Sequence, residues 1–285
     1  MGTIKASSAI LDESKLLVQH QAALTLIQSI LDNPELEKFR WLDLGCGKGQ
    51  IIVNLDKNLN SNAISKIHYT GYDVKNEYLM ITEKKANSLG IKSVDMKTGE
   101  ISSFSSLVHE STKFDFITLT NTIHEFDPKV LSELFYELIV RLDENGCLFI
   151  YDMETLPDSK LELGAIPWKK EEMSEIFESF LKGIGIESYI PQLGKWSHNT
   201  CNGWNVNIQK RYFKVDNSTL KANHDKAITS TTKVLKEKLL QKYEECKNLL
   251  ESITKYGQEV PNDEREKNRC LYDFWALSRA MEALK

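Results

Sequence analysis

A chain of 285 residues with 41% apolar and 27% charged residues can bury a substantial core, which excludes a disordered or fibrous protein. Its formal charge of −5 argues against a strongly basic nucleic-acid binder, although the balance shifts from −7 over residues 1–154 to +2 over 155–285. No apolar run reaches the roughly eighteen residues a membrane span requires. MGTIKASSAILDES also lacks a hydrophobic signal core, and Ala6 stands where a myristoylation motif on Gly2 wants Ser or Thr, so a cytoplasmic protein is expected.

In chain order, helical spacing of Leu16, Leu17, Ala23, Leu24, Ile27 and Ile30 predicts a helix over 11–31. FRWLDLG then reads as a strand and GQIIVNLDKNL as a following helix. ISKIHYTGYDV is a strand, and EYLMITEKKANSLG a helix with a glycine cap. FDFITLTNTI is a β-branched strand, KVLSELFYELIVRL an amphipathic helix, and Asp143-Glu144-Asn145-Gly146 a turn into the strand CLFIYDM. This alternation implies βαβ units and a mostly parallel sheet covered on both faces. Ligands of such sheets bind beyond the carboxyl ends of the strands, so the residues just after each strand are the candidates.

Beyond Asp152 the pattern loosens: a helix is expected over 171–182, a late strand in GWNVNIQKRYFKV, and mostly helix from Ser218 onward. Leu235, Leu239, Tyr243, Cys246, Leu250 and Ile253 make one apolar stripe, and Leu271, Phe274, Ser278 and Met281 a second, after a polar break at 257–266. The expected division is a helical segment over 1–36, a cofactor-binding domain over 37–215 and a helical extension over 216–285. The five cysteines (Cys46, Cys147, Cys201, Cys246, Cys270) are scattered, with no C-x-x-C pair, and the six histidines show no ligand spacing. Neither a disulfide framework nor a metal site is expected.

Asp43-Leu44-Gly45-Cys46-Gly47-Lys48-Gly49 sits where a strand hands over to a helix. Its three alternate glycines allow a sharp turn and bring a ligand against bare main chain, and free N–H groups follow. The spacing is G-x-G-x-G, not the dinucleotide G-x-G-x-x-G, and Lys48 is followed by glycine rather than the Ser or Thr of a P-loop. Asp73 ends the next strand, where a carboxylate can accept two hydrogen bonds from a ribose diol.

With these motifs, residues 38–155 resemble the class I S-adenosylmethionine-dependent methyltransferases. The resemblance implies a Rossmann-like α/β fold with a mostly parallel seven-stranded sheet, here carrying a C-terminal helical extension. It implies S-adenosylmethionine as cofactor, with Asp43, Gly45, Cys46, Gly47 and Gly49 around its methionine part. Asp73 with Val74 would hold the ribose, Glu100 would meet the adenine amino group with Ile101 beside the ring, and Asn121 would line the methyl end. His124 and Glu125, just past the fourth strand, are the candidate catalytic residues: His124 is either a base or a residue that packs over the cofactor or caps the next helix. Trp168, Trp196 and His198 are candidate acceptor-binding residues, with sealing of the sheet as the alternative role for such tryptophans.

TNTIHEF is not the N/D-P-P-Y/F motif of DNA amino-methylating enzymes, and no cysteine follows a proline as in cytosine-5 enzymes. The expected activity is methyl transfer to an oxygen or nitrogen of a small molecule. An RNA methyltransferase using its more basic C-terminal half, and a non-catalytic scaffold, are the alternatives. No membrane partner is expected, and the helical extension packs on the core or forms a homodimer.

Overall fold

The computed structural model describes residues 16–156, 164–198, 201–256 and 263–284. In chain order the elements are α1 (Val18–Leu31), β1 (Phe39–Leu44), α2 (Leu55–Asn58), α3 (Ser61–Ile64), β2 (Ile67–Asp73), α4 (Asn76–Ser88) and β3 (Ser93–Thr98). They continue with α5 (Phe104–Leu107), β4 (Phe114–Thr120), α6 (Pro128–Arg141), β5 (Leu142–Met153), α7 (Lys170–Gly183), β6 (Leu193–His198) and β7 (Cys201–Gln209). Three helices close the chain: α8 (Asn217–Ala222), α9 (His224–Tyr256) and α10 (Asp263–Ala283).

Seven strands form one sheet in the order β3-β2-β1-β4-β5-β7-β6. Strands β1 to β5 pair in parallel, whereas β7 runs antiparallel to both β5 and β6. The central strands are buried on both faces, β1 almost throughout, as the apolar run WLDL and the β-branched FDFITLT require. Edge strand β3 alternates between exposed and half-buried positions. On one face, Ala23, Leu24 and Ile27 of α1 pack in a cluster with Trp41, Phe116, Phe149 and Tyr151. On the other, α6 and α7 cover Ile117, Leu119, Leu148 and Ile150, and Leu235, Leu239, Ala276 and Leu277 of α9 and α10 belong to the same cluster. The extension thus shares a core with the sheet.

Several expectations change in detail. Helix α1 starts at Val18, and the expected part of that helix before residue 16 lies outside the described residues. After the glycine loop there is no long helix but a 3-10 turn, Ile52–Asn54, followed by the single-turn α2. Ile51, Ile52 and Val53 are β-branched and lose rotamer freedom in a helix. The Asp143–Gly146 turn is an interruption inside β5: Phe114 pairs with Leu142 but Phe116 with Cys147. Asp143 and Asp115 there both bind the Arg40 guanidinium, at 2.7 and 2.6 Å. KWSH, for which no element was expected, is part of strand β6, because antiparallel β7 offers it a full ladder. Along α9 the apolar stripe is buried at Leu235 and Leu239, and further along it Cys246 Sγ meets Cys270 Sγ of α10 at 3.4 Å. No described helix is long and apolar enough to cross a membrane.

Candidate functional site

The glycine loop leaves β1 at the carboxyl edge of the sheet. Tyr72 O accepts both Gly45 N–H (2.8 Å) and Cys46 N–H (3.1 Å), which ties the loop to the end of β2. Gly47 N–H donates to Asp73 Oδ2 at 2.9 Å, and Lys75 N–H to Asp73 Oδ1 at 2.9 Å. Each carboxylate oxygen keeps a lone pair for a further donor. Gly45 has φ +73°, and a Cβ there would lie 2.4 Å from Thr122 Cγ2. Thr82 supports the loop from α4, its hydroxyl donating to Gly47 O at 3.1 Å. Thr122 and Thr82 escaped the sequence reading, since only tertiary packing brings them under the loop.

Asp43 does not face the open side of the loop. It is 2% exposed, and its oxygens accept the hydroxyls of Thr118 (2.7 Å) and Tyr69 (3.1 Å) from the flanking strands. Burial pushes its carboxyl up to about 6, with the two hydroxyls opposing the shift. The unfolded chain sheds this proton near pH 4 and the folded chain near 6. The folded state therefore binds more protons in that window, and stability falls as pH rises through it. Asp43→Asn is expected to stabilise the unliganded protein by about 1–3 kcal/mol at pH 7 and by nothing below pH ~4. Urea unfolding at the two pH values checks it; an equal effect at both would show that ionisation is not the cause.

Past β3, Glu100 is exposed, its backbone oxygen accepting the Tyr72 hydroxyl at 2.7 Å, and Ile101 beside it is half-buried. Val74, after Asp73, is 50% exposed. Cys46 is buried, and burial raises its thiol well above the ordinary range. Gly45, Cys46, Gly47, Gly49, Asp73 and Val74 thus share the rim formed by β1 and β2, with Asp43 beneath it.

At the end of β4, Asn121 adopts φ +54°, the left-handed region that non-glycine residues rarely enter, and its N–H donates to Tyr151 O at 2.7 Å. The amide oxygen of Asn121 is buried without a partner. Three residues on, His124 is 1% exposed. Its Nδ1 lies 2.5 Å from Asp152 Oδ1, and its backbone N–H donates to Asp152 Oδ2 at 3.0 Å. Asp152 ends β5 and was not singled out from sequence; nothing short of the fold shows that it faces His124. Glu125 turns the other way, into a cleft of about 140 Å³ shared with Asp127, Lys129, Ile166 and, from α10, Ala276 and Arg279.

The tryptophans separate. Trp168 is 1% exposed in the α7 and α9 side of the core, with Lys242 Nζ 5.6 Å from its ring centroid. Trp204, fully buried, donates its indole N–H to Trp168 O at 2.9 Å. Trp196 lies on the opposite face, stacked on Tyr151 at 4.6 Å and half-buried. Trp168 and Trp196 therefore do not share one pocket: β6 sets Trp196 opposite Gly203, whereas Trp204, the next residue of β7, points to the other face, where Trp168 lies. The backbone of His198 ends β6 opposite Cys201, and its side chain lies outside the described residues.

A family model described as "Methyltransferase domain" matches residues 36–179. No curated protein sequence matches the chain. Among solved structures, the DszA carbon methyltransferase is similar at 15% identity with a TM-score of 0.50, over 67% of this chain and 53% of that one. The Burkholderia thailandensis 1,6-didemethyltoxoflavin-N1-methyltransferase shares 13% identity, with a TM-score of 0.49, over 68% and 78% of the two chains. The magnesium protoporphyrin IX methyltransferase of Synechocystis PCC 6803 with bound SAM shares 14%, with a TM-score of 0.46, over 68% and 80%. At these identities the likeness concerns the fold alone.

Proposed function

This chain belongs to the methyltransferase-domain family, and from that premise we propose that it transfers a methyl group from S-adenosylmethionine to an oxygen or nitrogen of a small molecule. The observation that carries the reading is the coupling of the glycine loop to Asp73 through Gly47 N–H, which sets bare backbone and a carboxylate with spare lone pairs side by side. That cradle fits the cofactor: no side chain projects from Gly45, Gly47 or Gly49, and Asp73 can receive a diol. Gly45, Cys46, Gly47 and Gly49 bound the methionine end above Asp43. Asp73 and Val74 hold the ribose, Glu100 and Ile101 border the adenine, and Asn121 stands at the methyl end. When bound, the donor supplies a sulfonium methyl whose C–S bond breaks as the bond to the acceptor forms, with loss of the acceptor's proton.

The residues after β4 do the positioning. His124, buried against Asp152, fixes the turn that carries Asn121 and Thr122, and its burial favours this role over taking the acceptor's proton. Glu125 faces α10 and Trp168 is part of the core, so acceptor contacts are assigned to the face bearing Trp196.

Calorimetry with S-adenosylhomocysteine tests the reading. The protein is expected to bind it, and Asp73→Ala to bind at least tenfold more weakly, about 1.4 kcal/mol, for loss of charge-assisted hydrogen bonds. No binding to the unaltered protein at millimolar ligand would overturn the proposal. Binding without release of S-adenosylhomocysteine from S-adenosylmethionine in any metabolite or RNA pool would favour a scaffold, and release driven only by RNA an RNA methyltransferase.

A further inference from the structure

Among the described residues, four buried side-chain polar atoms lack any hydrogen-bond partner: His20 Nδ1, Asn121 Oδ1, Tyr151 Oη and Trp168 Nε1. Buried polar groups are ordinarily paired, so an orphan beside a binding site points to a group that arrives with the ligand. Two of the four belong to residues whose backbones meet. Asn121 N–H donates to Tyr151 O at the carboxyl ends of β4 and β5, and Asn121 holds its strained left-handed backbone there.

Tyr151 is 1% exposed and stacks on Trp196, which itself lies over Gly203: a Cβ at Gly203 would come within 2.0 Å of the Trp196 ring. The register of β5 puts Cys147, Phe149 and Tyr151 on the α1 face, all three in the cluster that α1 covers. His20 belongs to that helix. His20 is buried on the same stripe as Ala23, Leu24 and Ile27.

We infer that the methyl acceptor is an uncharged, planar, hydroxyl-bearing molecule, read by the Tyr151 hydroxyl and the Asn121 amide oxygen against the aromatic wall of Trp196. The inference rests on the methyltransferase reading and names the acceptor class for that site. Every group offered is neutral. Burial pushes the Tyr151 hydroxyl well above its ordinary range, so it stays protonated, and burial lowers His20 to about 4, so its imidazole is uncharged near neutral pH. Among the described residues, Lys195, next to Trp196 in β6, is directed to Glu154 at 3.7 Å. A phosphate brought among these groups would lose its water without gaining a counter-charge, whereas a hydroxyl can donate to Asn121 Oδ1 and accept from Tyr151. A flat apolar body suits the Tyr151–Trp196 stack.

The matched probes are 2-naphthol, neutral at pH 7, and 2-naphthyl phosphate, each titrated into the full chain saturated with S-adenosylhomocysteine. Tyr151→Phe is the diagnostic variant, because it removes an unpartnered hydroxyl and keeps the ring stack. The expected results are binding of 2-naphthol, at least tenfold weaker binding of the phosphate, and about tenfold weaker 2-naphthol binding by Tyr151→Phe with unchanged or higher thermal stability. Equal or tighter binding of the phosphate, failure of 2-naphthol to bind, or indifference of Tyr151→Phe would overturn the inference. S-adenosylhomocysteine binding is measured first on both proteins. Its absence from the unaltered chain sinks the methyltransferase reading, whereas its presence with any of these failures sinks only the acceptor class.

Discussion

Gly45→Ala is expected to abolish S-adenosylhomocysteine binding at concentrations that saturate the unaltered protein, and to lower unfolding stability by about 2–4 kcal/mol. Two effects add. The backbone at Gly45 has φ +73°, which costs an alanine roughly 1 kcal/mol or more. The new methyl would also sit 2.4 Å from Thr122 Cγ2 and 2.8 Å from Thr122 Oγ1, so either the loop or the turn after β4 must move. A shift of even about 1 Å in a positioning element costs roughly a hundredfold in function. Gly90→Ala isolates the first effect, since Gly90 has φ +79° but nothing within 4 Å of its would-be Cβ. Gly45→Ala combined with Thr122→Ala should recover the steric part only. Urea unfolding and calorimetry on the four proteins check this; a Gly45→Ala protein that binds like the original would show that the loop does not grip the cofactor.

Asp152→Asn should lower stability by roughly 3–5 kcal/mol, the cost of breaking a buried charged hydrogen-bond network by altering one partner. Asp152 Oδ1 accepts from His124 Nδ1 and Met153 N–H, and Oδ2 accepts the His124 backbone N–H. An amide must point its NH2 at one of these donors, so at least one bond becomes a donor facing a donor. His124→Ala removes the side-chain donor to the same buried carboxylate and leaves it only the two backbone N–H groups. Because the two residues act through one contact, the double substitution should cost clearly less than the sum of the singles. Turnover is expected to fall further than S-adenosylhomocysteine affinity, as the turn carrying Asn121 and Thr122 loosens. The pH profile of kcat/KM separates the roles: lowered amplitude with unchanged shape supports positioning, and loss of one limb in His124→Ala would identify a base.

Much of the geometry of the glycine loop and Asp73 was legible because its signals are local. A strand, a G-x-G-x-G loop and an acid at the next strand end lie within 35 residues, Phe39 to Asp73, and each announces its own geometry. The proposed acceptor side was not legible in the same way. Trp168 and Trp196 look alike in the chain, yet Trp168 packs in the core under α7 and α9 while β6 turns Trp196 to the other face, and only Trp196 reaches Tyr151. Tyr151 reads as one more residue of an apolar strand, CLFIYDM, and its importance comes from what fails to pair with its hydroxyl. His124 stood out as a histidine past a strand; its burial against Asp152, 28 residues away, changes the role it suits.

By itself, then, the sequence determined the alternating α/β order, the parallel half of the sheet and the glycine loop with Asp73, because backbone conformation and periodicity are set by neighbours a few residues apart. Tertiary structure alone decided that Thr122 and Thr82 brace that loop, that Asp43 lies beneath it, and that α9 and α10 share the sheet's core. It likewise decided which polar atoms are left unsatisfied where β4 and β5 end. Those features depend on which faces of distant strands and helices meet, and burial, pairing and charge state are properties of that meeting rather than of any segment of the chain.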